Sequence, residues 1–181
     1  DEVTSTQRRE AKAVNFGIVY GISDFSLSKD LGVTRNEAKE YIEIYFHRYP
    51  DVKAYLDNIV VEAKNNGFVK TIMNRRRYIP EINQKNKMVQ AAGIRLAMNS
   101  PIQGSTADII KMAMVKVDNA LRSHELKSTL ILQVHDELII NAKKDELEQV
   151  KELIKREMEN AVKLKVELLS EVSVGDTWFD A

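Results

Sequence analysis

STLILQVHDELIINA, residues 128–142, decides the class of fold. Two short and mainly apolar runs, 130–134 with Gln133 inside it and 138–140, flank the polar trio His135, Asp136 and Glu137. Apolar runs of this length, rich in aliphatic and β-branched residues, read as strands, and the trio reads as the reversal between them. Ordinary tight hairpins turn on Asn-Gly or Asp-Gly, and this one has neither glycine nor proline. A short antiparallel unit inside a chain otherwise full of helix signals makes the fold α+β.

Working outward, FVKTIMNRRRYIP (68–80) has turn chemistry at Asn74 between β-friendly halves and predicts a second hairpin. Charge and apolar residues alternate at helical period over 144–163, and VELLSEVSVG (166–175) predicts a last strand. A helix is expected from about Lys87 to an interruption at Pro101, then another from Thr106 to Ser123. Toward the N-terminus, Thr4 with Gln7 has capping-box spacing, so a helix opens near Ser5 and runs to Tyr20, with Gly21 just past its end. Asp24 caps a short helix that stops at Gly32. Thr34 with Glu37 opens another through His47, and Pro50 begins one that Gly67 closes. The expected organisation is a helical lobe, 1–66, packed on an α+β lobe, 67–181, with a small antiparallel sheet.

The 181 residues are 44% apolar and 30% charged, and 27 Lys plus Arg balance 27 Asp plus Glu. Neutral overall charge leaves room for a local basic patch. No cysteine is present, which excludes disulfides and thiolate metal sites and suits a reducing compartment. No apolar run approaches the roughly 20 residues that span a bilayer, and no signal-peptide pattern opens the chain. The opening DEVTSTQ lacks Met and enters a motif at once, as at a fragment boundary.

That motif is RREAKAVNFGIVYG, residues 8–21. On a helix it sets Arg8, Lys12, Phe16 and Tyr20 at steps of four along one drifting face, spanning roughly 18 Å. Two cations a turn apart suit adjacent phosphoryl groups, and an aromatic further along suits a base or sugar. A nucleoside triphosphate fits such a rod. Two core aromatics beside two solvated cations would give the same spacing, and both readings stand on these residues alone. Gly17 inside the helix costs about 1 kcal/mol relative to alanine and is easier to understand if something approaches the backbone closely.

The acidic turn admits two readings as well: a solvated reversal, or oxygen ligands for Mg²⁺, which completes its shell with waters and substrate phosphates. Asp136 and Glu137 are neighbours in sequence, so on a strand they face opposite ways and only one is a full ligand. Asp108 is the nearest further carboxylate in a motif, and it reads as a first-turn charge favoured by the helix dipole. The ligand set is incomplete.

Taken together, R-x₃-K-x₇-Y-G at 8–21 and QVHDE at 133–137 resemble the C-terminal part of family A DNA polymerases, the bacterial DNA polymerase I type. The likeness runs over essentially the whole chain and takes in FVKTIMNRRRYIPEIN, RLAMNSPIQGSTADIIKMAM and VGDTW. It implies a fingers subdomain at 1–66 and the C-terminal part of a palm at 67–181. Arg8 and Lys12 would hold the dNTP triphosphate, Phe16 would pack on its sugar and base, and Tyr20 would stack at the template position. Phenylalanine at 16 is associated with discrimination against dideoxynucleotides. Asp136 would bind catalytic Mg²⁺ with Glu137 in support, and these two with Lys12 are the implied catalytic residues. His135 would neighbour the primer terminus. Arg95, Asn99 and Gln103 would touch template, primer or minor groove, whose acceptors are shared by all base pairs. Arg76 and Arg77, beside Arg75, would meet backbone phosphates; a solvated turn is the other reading of that run.

One departure stands out. The family's acidic strand of the form DYSQIELR, which supplies a second metal-binding aspartate, is absent, as are the thumb and any exonuclease domain. The resemblance therefore implies a chain inactive alone. It also implies primer–template DNA, dNTP and the missing N-terminal palm and thumb as partners, no membrane, and a bacterial cytoplasmic, nucleoid-associated setting. A phage-type single-subunit RNA polymerase shares a similar helix and HD turn, but Phe16 and Glu137 favour DNA synthesis. A non-catalytic DNA-binding module is the rival of another class.

Overall fold

A computed structural model describes residues 3–180. Helix α1, Ser5–Val19, opens on the expected capping box: the Gln7 amide donates to Thr4 Oγ1 and the Thr4 amide to Gln7 Oε1. Helix α2, Asp24–Leu31, is capped by Ser23 rather than Asp24, since the Ser26 amide donates to Ser23 Oγ. The Asp24 carboxylate instead pairs with Arg35 at 2.7 Å. Helix α3, Arg35–Arg48, begins on the Thr34–Glu37 capping box, and α4, Pro50–Asn66, ends on left-handed Gly67.

Strands β1 (Phe68–Lys70) and β2 (Arg76–Tyr78) pair antiparallel through a turn that holds Asn74 at φ 61°. A short 3₁₀ turn, Pro80–Asn83, leads to α5, Lys87–Ser123. This helix is continuous, so Pro101 does not end it. Proline deletes one backbone hydrogen bond, and here that loss is carried by packing: Ala97, Pro101 and Ser105, at successive fourth positions, are all buried. Asp108 consequently lies deep in a long helix rather than in a first turn.

Strands β3 (Thr129–Val134) and β4 (Glu137–Asn141) form the second hairpin, with Ile131 as a bulge between the Leu130–Ile140 and Leu132–Ile139 pairs. Helix α6 covers Leu147–Glu159, shorter at both ends than the periodicity suggests, and the carboxylate of its N-cap residue Glu146 accepts from the backbone amides of Lys127 and Ser128. The last strand expected at 166–175 does not form. A strand exists through its ladder, and among the described residues each of the two sheets has two strands with no third.

The chain divides into two compact units, Asp1–Gln103 and Gly104–Ala181, with the boundary inside α5. The core of the first joins Ile59 and Ala63 of α4 to Val69, Ile79, Ile82 and Ala97. Helix α5 passes the 3₁₀ turn at contact distance, since a Cβ on Gly93 would lie 2.6 Å from the Ile82 nitrogen. In the second unit Val117 and Leu121 of α5 meet Val150, Leu153 and Ile154 of α6, and Leu138 and Ile140 of β4 pack on them.

Candidate nucleotide and nucleic-acid site

Helix α1 turns one residue, Ile18, fully inward, which leaves its long polar face free. Arg8 and Lys12 are exposed, Phe16 is 51% exposed and Tyr20 is half-buried. Lys12 Nζ lies 5.8 Å from the centre of the Phe16 ring, and the Phe16 and Tyr20 rings are 6.1 Å apart at 33°. Cation and rings thus form one continuous accessible row, not a set of core anchors. The close approach expected at Gly17 is made by the chain itself. Ile22 folds back to donate its amide to the Gly17 carbonyl at 2.8 Å, and a Cβ on Gly17 would sit 3.0 Å from its side chain.

Past α1, Gly21 adopts φ +72°, and a Cβ there would meet Met98 Sδ at 3.1 Å and Arg95 Cγ at 3.4 Å. This tight turn lays Tyr20 beside α5 and opens a shallow cleft of about 300 Å³ lined by Tyr20, Ala92, Arg95, Leu96 and Asn99. Arg95 is exposed, Asn99 is half-buried and Gln103 is exposed. Asn99 Oδ1 is itself buried with no hydrogen-bond partner, an acceptor left open beside the cleft. The structure thereby brings Tyr20, Arg95 and Asn99 together, an association of residues some 75 positions apart in sequence.

The three arginines of the hairpin do not form a single patch. Arg76 pairs across the ladder with Lys70 and shares a face with Phe68 and Tyr78. Arg77 lies opposite Val69 on the other face. Arg75 belongs to the turn, where its amide donates to Thr71 Oγ1.

In the second unit His135, Asp136 and Glu137 are all exposed at the β3–β4 reversal. Val134 pairs with Glu137, so His135 and Asp136 are the turn and Glu137 is the first residue of β4. His135 takes φ 52°, a left-handed conformation that histidine tolerates better than most residues, which is how the turn closes without glycine. Accessible carboxylate oxygens suit a hard divalent cation, but among the described residues no group of three His, Asp or Glu side chains could hold one. Asp136 and Glu137 thus stand as two adjacent exposed carboxylates with no third such donor grouped around them among the described residues.

Carboxylates elsewhere have structural tasks. Glu146 accepts from the Ser128 hydroxyl and from the Lys127 and Ser128 amides, and these hydrogen bonds, that of the hydroxyl foremost, hold it below the usual glutamate range. Arg35 does the same for Asp24. No helix of the described residues is long and apolar enough to cross a membrane.

The model of DNA polymerase family A matches residues 1–180. The chain belongs to DNA polymerase family A. Among its family A relatives, DNA polymerase I of Lactococcus lactis subsp. lactis is 53% identical over all 181 residues. DNA polymerase I of Caldicellulosiruptor bescii is 56% identical over 179 residues, 99% of this chain. The chain spans 21% of the length of each. A solved structure of the POL domain of Pol1 from M. smegmatis, in complex with DNA primer-template and dNTP, superposes with a TM-score of 0.89 at 43% identity. That match covers 93% of this chain and 30% of the other. The fold is α+β, as the 128–142 hairpin requires, and matches a polymerase domain.

Proposed function

We propose that the chain is the fingers (1–66) and the C-terminal part of the palm (67–181) of a template-directed DNA polymerase that adds dNTPs to a primer 3′ end. The observation that carries this reading is the accessible row of Arg8, Lys12, Phe16 and Tyr20 on α1. Its support from outside is the likeness to a polymerase domain in complex with primer-template and dNTP. Arg8 offers a planar fork and Lys12 a point charge to the triphosphate, and Phe16 packs on the nucleotide's sugar and base. Tyr20 stacks at the template position over the cleft that Arg95 and Asn99 line. Arg95, Asn99 and Gln103 read the minor groove, and Arg76 and Arg77 take backbone phosphates.

In the reaction the primer 3′-oxygen attacks the α-phosphorus and pyrophosphate leaves. Lys12 and Arg8 neutralise charge on the leaving group, and closing of α1 excludes water and orders the nucleotide. Asp136, with Glu137 in support, is this chain's contribution to a Mg²⁺ site completed by an aspartate outside it, and His135 borders the primer terminus. Bound Mg²⁺ supplies charge neutralisation at the transferred phosphoryl group and activation of the attacking oxygen. The polymerase acts in the bacterial cytoplasm on nucleoid DNA, and its partners are primer–template, dNTP and the remaining palm and thumb.

Primer extension by the intact polymerase tests the assignment. Asp136→Ala should abolish extension while primer–template affinity stays within about twofold, and extension retained by that variant would refute the role. Incorporation of rNTPs in preference to dNTPs would move the protein to the RNA polymerases.

A further inference from the structure

The exposed face of the β1–β2 hairpin carries chemistry that phosphate contact by arginine does not use. Segment 67–80 contains Lys70, Arg75, Arg76 and Arg77 and no acidic residue. Register puts Phe68, Tyr78, Lys70 and Arg76 on one face, while Val69, 4% exposed, anchors the other in the core. Arg76 Cζ stands 4.8 Å and Lys70 Nζ 5.9 Å from the centre of the Phe68 ring. Tyr78 meets that ring nearly edge-on at 5.7 Å and is itself 65% exposed. Neither Lys70 nor Arg76 enters an ion pair among the described residues.

We propose that this hairpin face is a stacking platform for an unpaired nucleic-acid strand, with a base on the Tyr78 ring and neighbouring phosphates on Lys70 and Arg76. Phe68 is the fixed part: Arg76 covers its face and Tyr78 its edge, so cation and open ring are held side by side. A duplex keeps its bases stacked within itself and would leave the Tyr78 ring idle. A single strand offers π-faces and phosphates alternately, which is the pattern of this surface. An acidic peptide would use the cations alone. The inference rests on the reading of the chain as a DNA-handling protein and specifies which form of strand this face takes.

The test is fluorescence anisotropy with labelled oligo-dT and a labelled blunt duplex, using the 181-residue chain and three variants. Tyr78→Leu keeps an apolar partner for Phe68 and removes the ring. It should weaken oligo-dT binding about 5- to 100-fold and leave duplex binding within about twofold. Tyr78→Phe should retain oligo-dT binding. Arg76→Gln should weaken it and flatten its salt dependence by about 0.7 in log–log slope. Unchanged oligo-dT affinity in Tyr78→Leu, with duplex binding intact, would overturn the platform and leave the polymerase reading standing. Equal losses on both ligands would overturn it too, as would an unsubstituted chain that does not bind oligo-dT, and either result leaves the polymerase reading standing.

Discussion

Lys12 shows how much one side chain can be asked to do. It is exposed on α1 with its ammonium over the Phe16 ring, so it is placed by packing and free to meet an anion. Charge-assisted contacts to phosphate contribute about 1.5–3 kcal/mol each. Lys12→Ala in the intact polymerase should therefore raise the KM for dNTP on the order of 10- to 100-fold, with primer–template affinity nearly unchanged. Steady-state kinetics beside a DNA-binding titration separates the two, and equal loss of both would contradict the assignment. Gly17 is instructive in another way. Its presence in a helix announces a close approach, and the visitor is Ile22 of the same chain.

At the level of elements, the hairpins and helix ends follow local chemistry, while their seating follows packing. Gly93 is required because α5 passes the backbone of the 3₁₀ turn where a methyl group would overlap it. Gly93→Ala should destabilise the chain by about 1–3 kcal/mol in denaturant unfolding, despite alanine's better helix propensity. Glu146 ties the start of β3 to the segment entering α6 through Lys127 and Ser128. Its carboxyl is held below the ordinary value of 4.5 in the folded chain. The sign follows: its contribution is full above the unfolded value and is lost as pH falls through the depressed folded value. Glu146→Gln should flatten the acid limb of the stability–pH curve below 4.5 and lower stability at neutral pH. Thermal melts across that range read both.

For the whole molecule, what matters is what its two compact units, Asp1–Gln103 and Gly104–Ala181, can do alone. The carboxylates proposed to bind Mg²⁺ at the β3–β4 turn are two exposed neighbours, and no cluster of three His, Asp or Glu forms among the described residues. The isolated chain should accordingly show no primer extension above background at any Mg²⁺ concentration, and measurable turnover would mean that the ligand set is complete within it. In the tail at 166–175, Val166, Leu169 and Val174 stay exposed, because no strand among the described residues pairs with that segment.

The sequence alone determined features whose causes lie within a few residues: the capping boxes at Thr4 and Thr34, the left-handed stops at Gly32 and Gly67, and the turns at Asn74 and His135. It also determined the step-of-four row on α1, since helical period and residue type suffice for that. Only tertiary structure decided that α5 runs through Pro101, that the last strand lacks a ladder, and that Arg76 and Arg77 part to opposite faces. Tertiary structure likewise brought Tyr20 to Arg95 and Asn99 around one cleft. Such outcomes turn on which distant groups become neighbours. A helix keeps a proline when burial on both sides offsets the lost bond, and a strand forms only when another backbone supplies its hydrogen bonds.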